Sequence, residues 1–299
     1  MYYRAPHSGP DCSTERSARL RERRFQLGYA GLSEPKAYTR LAEEAKGILL
    51  SLEDEDPGVA RARALLHVVE HCEVTPEPDA MLLGGENPFL FNLLLPALQA
   101  DRHSREGHRL PDEESDRFRA AGGMYAGCFE GHITPGIEFI MGQGVSGLER
   151  RLREQIEMLD PEAADAESRR RFWQSGLIAC QALCLVKKTT DSALAAELTE
   201  AAESLKRVPE HPARTLREAL QSLWLAYILV TIEMGGCCPG GGIGLGRPDQ
   251  YLLPYYQRDL AEGRLTREQA LELMEVFLIA FRHEDYFTPH QFATPGSQA

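Results

Sequence analysis

A chain of 299 residues with 43% hydrophobic and 26% charged residues is long enough to bury a sizeable core in one large domain or two modest ones. Its net charge of -12 repels phosphate backbones and argues against a general nucleic-acid binder. The longest apolar run, Leu223 to Ile232, is far shorter than the roughly 20 residues that a membrane span needs.

Met1 to Cys12 is polar and has no apolar centre, so it does not read as a secretory signal, and a cytoplasmic protein is expected. Seven cysteines, an odd number with no export signal, read as reduced thiols. Residues 1–35 are Arg-rich and weakly patterned and read as an N-terminal extension or an entry helix, with residues 36–299 as the main unit. From Tyr38 the pattern is helical. Asp56 followed by Pro57 predicts an N-cap and a first-turn proline, with Ala62, Leu65, Leu66, Val69 and Cys72 on one apolar face.

Residues 75–96 break into Pro- and Gly-marked pieces, and residues 100–120 are highly charged and read as a surface connection. Helices are predicted near residues 145–158, 167–187, 192–207 and 215–232. The last of these opens on a capping box, Thr215 with Glu218, and is apolar all round beyond Leu223. A Gly-rich stretch, Gly235 to Gly246, interrupts it. A final helix follows a second capping box, Thr266 with Gln269, and carries the stripe Ala270, Leu273, Met274, Phe277, Leu278 and Phe281. Most periodic segments have helical spacing and few alternate, so a mainly helical chain with few strands is expected.

Several constellations invite chemistry. His67-Val68-Val69-Glu70-His71 fits the H-x-x-E-H pattern, in which two His one helical turn apart bind zinc beside a Glu base. Both His point roughly 160–200° from the centre of the apolar stripe, which predicts a solvated face instead. A zinc hydrolase using His67, Glu70 and His71 is therefore a minor alternative. Gly127-Cys128-Phe129-Glu130 pairs a thiol with a carboxylate, against the plainer reading of a cysteine buried near a turn. Cys237-Cys238 between glycines reads as a structural turn, with a reactive pair as the alternative. Gly240 and Gly242 lack the third glycine of a dinucleotide loop, because position 245 is Leu245, and no Gly-Lys pair follows. His132, ahead of Pro135, either presents its imidazole to a pocket or bonds a local carbonyl.

Three stretches together resemble glycyl radical enzymes of the pyruvate formate-lyase (formate acetyltransferase) family, over about residues 40–280. The first is Arg61 to His71 leading to Leu82-Leu83-Gly84-Gly85-Glu86. The second is Gly131 to Leu152, which contains Gly-His-x-x-Pro. The third and most specific is Arg207 to Glu233 with Gly246 to Met274. It matches the family's Pro-Ala-x-Thr-x-x-Glu-Ala-x-Gln helix and its Gly-Arg-x-Asp-Gln-Tyr-x-x-Pro-Tyr-Tyr segment. Here Arg247 and Asp249 are expected to pair locally, and Tyr251, Tyr255 and Tyr256 to offer apolar bodies with polar tips.

The resemblance implies a helical N-terminal part and an incomplete half of the family's ten-stranded α/β barrel. It implies radical cleavage of C–C, C–O or C–N bonds in a small-molecule substrate, or formate acetyltransferase chemistry. It also implies a protein-based glycyl radical installed by a radical S-adenosylmethionine activase, in an enzyme that forms a homodimer. By position, His132 is the one substrate-pocket residue it points to. The sequence departs from the family in holding no Arg-Val-x-Gly-Tyr radical loop and no Gly-Cys-x-Glu after Gly246. Cys128 and Cys237-Cys238 stand too early in the family order to inherit catalytic roles. The expected function is the N-terminal part of such an enzyme, catalytically silent by itself and exposing the apolar 215–232 helix. The alternative from another class is a non-catalytic binding or assembly protein derived from the family.

Overall fold

The computed structural model describes residues 12–26, 36–52, 55–72, 79–84, 136–186, 199–233 and 244–281. These residues form helices α1 (Glu15–Gln26), α2 (Lys36–Ser51), α3 (Pro57–His71), α4 (Glu138–Glu157) and α5 (Ala166–Val186). They continue as α6 (Thr199–Leu205), α7 (Leu216–Glu233), α8 (Pro248–Tyr251), α9 (Leu253–Ala261) and α10 (Arg267–Phe281). No strand occurs among the described residues, so what is seen is mainly helical, as the periodicity predicts. No helix among them is long and apolar enough to cross a membrane.

α3 starts as its sequence dictates. Asp56 Oδ1 accepts from Gly58 N at 2.9 Å and Val59 N at 3.3 Å, and Pro57 occupies the first turn, where no amide is missed. Asp56→Ala should cost about 1 kcal/mol, visible as a lower urea midpoint at unchanged slope. The buried face of α3 is wider than the predicted stripe. Val59, Ala60, Ala64 and Val68 are buried as well, because α5, α2 and α7 all pack on it.

α7 forms the axis of the core. From Leu216 to Ile232 nearly every side chain is buried, with Trp224 and Tyr227 stacked at 5.8 Å between ring centroids. Its neighbours are α3, α4, α5, α6, α9 and α10. The expectation that this helix lacks cover within the chain is therefore corrected: helices on every side supply it. α10 likewise packs on α7 and on α1, which falls inside the stretch read as an extension. Within α10, Ala270, Leu273 and Phe277 are buried as predicted, while Leu278 is 56% exposed and Val276 and Ala280 take its place in the core.

The helix predicted near 145–158 begins earlier, at Glu138, and bends at Gly144. That predicted near 192–207 is described only from Thr199 to Leu205. The α4–α5 crossing is close. A Cβ on Gly176 would lie 3.1 Å from Leu152 Cδ1, so the missing side chain lets the two helices approach.

Candidate functional site

Of the two predicted capping boxes, the one at α10 forms in full and the one at α7 only by half. At α10 the exchange is reciprocal, with Thr266 N donating to Gln269 Oε1 at 2.8 Å and Gln269 N to Thr266 Oγ1 at 3.2 Å. At α7, Thr215 Oγ1 accepts from Glu218 N at 3.1 Å, but Glu218 does not return to the Thr215 amide. Its carboxylate instead accepts from Arg214 N at 2.7 Å and Arg214 Nη2 at 3.0 Å. Asp259 of α9, 1% exposed, accepts from Leu216 N at 2.7 Å and from Arg264 Nε at 2.8 Å, and so crowns the same helix start from outside.

These bonds tie together the stretches that carry the family resemblance. Residues 209–213 run beside residues 141–146. Ala213 N donates to Met141 O at 2.8 Å, Val145 N to Pro209 O at 2.9 Å and Ser146 N to Glu210 O at 3.0 Å. The approach is possible because Gly144 bends α4 at φ 69°, ψ 170°. Tyr255 adds a hydroxyl to Met141 O at 3.4 Å, and Arg258 Nη1 donates to Arg214 O at 3.2 Å.

Arg247 and Asp249 make the expected local pair, with Nε donating to Oδ1 at 2.9 Å and Nη2 to Oδ2 at 2.7 Å, and the guanidinium holds the carboxyl below its ordinary range. Tyr251 donates to Leu245 O at 2.7 Å; burial, with a contribution from the Glu138 carboxylate, pushes its phenol up to about 12.

A third clasp holds residues 81–84 on α7. Gln221, wholly buried, accepts from Leu83 N at 2.8 Å and donates Nε2 to Leu83 O at 2.7 Å. Trp224 Nε1 donates to Gly84 O at 2.8 Å, and Arg217 Nη1 to Met81 O at 3.0 Å. Gly84 adopts φ 112°, and a Cβ there would meet Leu225 Cδ2 at 3.0 Å. Gln221 ends the Pro-Ala-x-Thr-x-x-Glu-Ala-x-Gln motif, yet its bonding role is not legible in that motif. The one available signal was an amide on an otherwise apolar helix.

The H-x-x-E-H residues do not form a cleft. His71 Nδ1 donates to His67 O at 2.8 Å, and His67 Nε2 lies 3.0 Å from Glu44 Oε2 on α2. His67 holds the Glu44 carboxyl below its ordinary range. The prediction that both imidazoles are exposed is corrected for His67, whose side chain is 24% exposed because α2 packs over that edge of α3. Glu70 is exposed, and among the described residues no three His, Cys, Asp or Glu side chains are grouped to hold a metal ion. Cys72 and Cys180 are buried thiols pushed up to about 12 by desolvation, far from a reactive thiolate. His132, Cys128, Glu130, Cys237 and Cys238 lie outside the described residues.

The bonded stretches 141–146, 209–216 and 255–264 fall inside residues 110–294, which match the family model described as pyruvate formate lyase-like, whereas residues 81–84 lie outside it. This chain belongs to that family of glycyl radical enzymes. Among pyruvate formate lyase-like proteins it is 33% identical over 186 residues to indoleacetate decarboxylase of Tractidigestivibacter scatoligenes, covering 58% of this chain and 20% of the relative. It is 36% identical over 151 residues to isethionate sulfite-lyase of Nitratidesulfovibrio vulgaris, covering 46% and 18%. A solved structure described as 1,2-propanediol dehydration in Roseburia inulinivorans superposes with a TM-score of 0.65 at 25% identity, over 92% of this chain and 40% of that one. The pyruvate formate lyase-like chain thus spans about a fifth of the curated relatives it matches.

Proposed function

We propose that this chain supplies the N-terminal scaffold of a glycyl radical enzyme that cleaves a bond in a small-molecule substrate, and that it is catalytically silent alone. The observation carrying the reading is the match to the family over residues 110–294. Within that span, the Gly144 bend, the 209–213 strap and Asp259 are bonded into one support. The relatives include a decarboxylase and a sulfite-lyase, which favours lyase chemistry over acetyl transfer. The main unit is residues 36–299, with residues 1–35 as the extension, and the chain forms a helical N-terminal part and an incomplete half of the family's ten-stranded α/β barrel. In this reading His132, four residues ahead of Gly136, is a substrate-pocket residue, and the enzyme is a cytoplasmic homodimer. The radical and its relay thiol are supplied from outside these 299 residues, which hold neither Arg-Val-x-Gly-Tyr nor a cysteine beyond Cys238. Installing the radical then requires a radical S-adenosylmethionine activase.

The test is anaerobic electron paramagnetic resonance with the activase and S-adenosylmethionine. The chain alone is expected to give no glycyl radical. Adding a polypeptide that carries the radical loop and a Gly-Cys-x-Glu motif should produce radical and turnover. His132→Ala in that mixture should lower turnover and leave the radical signal. A radical in the chain alone would defeat the silent reading, and unchanged turnover in the variant would defeat the role of His132.

A second reading, a non-catalytic binding or assembly protein derived from the family, is favoured by one observation: the apolar α7 is sheathed by helices of this same chain. A compact monomer that melts cooperatively, binds no hydrophobic dye and never yields turnover in the mixture would move the assignment to this reading.

A further inference from the structure

The described contacts of α1 are largely polar. Among its described side chains, Ser17 and Leu20 are the buried ones, and Leu20 is the sole hydrophobic anchor of that pair. Its polar contacts run to acidic groups at two separate places in the chain. At α10, Ser13 N and Oγ donate to Glu275 at 3.0 and 2.7 Å, Ser17 Oγ donates to Glu275 at 2.8 Å, and Thr14 Oγ1 donates to Glu272 at 2.7 Å. At the turn that α7 clasps, Arg19 Nη2 and Arg23 Nη2 donate to the two Asp79 oxygens at 2.8 and 2.7 Å. Asp79 sits at φ 66°, a conformation that ordinary residues avoid, five residues ahead of Gly84.

We infer that α1 is a detachable latch, held by charge, that joins α10 to the Asp79–Gly84 turn and opens while the core around α7 stays folded. A helix of 12 residues is too short to persist alone in water, so α1 is ordered by docking. Docking through Arg–carboxylate pairs and hydroxyl–carboxylate bonds is weakened by salt, whereas the hydrocarbon contacts of α7 are not. Release would bare the Leu20 slot and free the Asp79 turn from two of its restraints, leaving the Gln221, Trp224 and Arg217 bonds to hold it. The inference does not depend on the proposed enzyme activity.

Amide hydrogen exchange by mass spectrometry on the intact chain tests it. Moving from low salt to about 1 M sodium chloride, where screening acts over about 3 Å, should speed exchange in residues 15–26. The expected factor is about 5–30, with α7 amides unchanged. Arg19→Glu with Arg23→Glu should produce the same rise at low salt and abolish the salt response. Reading α7 in the same sample separates release from misfolding. Exchange of α1 that ignores salt in the unaltered chain, or that rises only together with α7 in salt or in the variant, overturns the latch.

Discussion

Gly144→Ala is expected to destabilise the fold by about 3 kcal/mol, the upper end of the cost of forcing a side chain into a backbone region used almost solely by glycine. The torsions of 69° and 170° put residue 144 in that region. Space is lacking too, because a Cβ would lie 2.5 Å from Glu210 O and 2.7 Å from the His211 carbonyl carbon. Those are backbone atoms of the strap that bonds to Met141, Val145 and Ser146, so they cannot yield without breaking those bonds. The comparison is Gly142→Ala, two residues earlier on the exposed side of α4, where nothing lies within 4 Å of a new Cβ. That change should be neutral or add up to about 1 kcal/mol, since alanine favours helix. Urea denaturation of the pair gives the answer, and equal midpoints would show that the bend is not a requirement of the fold.

Gln221→Leu is expected to cost roughly 2–6 kcal/mol, because it leaves Leu83 N–H and Leu83 C=O buried and unbonded at about 1–3 kcal/mol each. Gln221 and Leu83 are both 0% exposed, so water cannot replace the lost amide. Trp224→Phe removes a single partner, that of Gly84 O, and should cost less, about 1–3 kcal/mol. The effect should be local before it is global: exchange at residues 81–84 should accelerate more than exchange along α7. A leucine variant as stable as the parent would mean that residues 81–84 find other bonding partners.

The helices themselves were legible in the sequence because their signals are local. Asp56-Pro57, Thr215 and Thr266 with Gln269 mark helix starts, since a cap is made by side chains within one turn of the amide they serve. The all-round apolar run after Leu223 likewise announced a buried helix. The motifs Pro212 to Gln221 and Gly246 to Tyr256 identified the family, which the match over residues 110–294 bears out.

What the sequence left open is what depends on partners distant along the chain. Glu218 was assigned to the Thr215 amide by spacing, yet Asp259, 43 residues beyond Leu216, occupies that helix start and Glu218 turns to Arg214. His67 was placed in solvent by the helical wheel, which knows one face of α3 and nothing of α2 crossing over it. The cover of α7 could not be read from α7, because burial is supplied by other helices. The sequence by itself therefore determined the helical character, the helix-starting caps at Asp56, Thr215 and Thr266, and the family. The tertiary structure decided which glycine must bend, which amide holds residues 81–84 and which acid crowns α7, because each depends on distances between groups that chain order does not bring together.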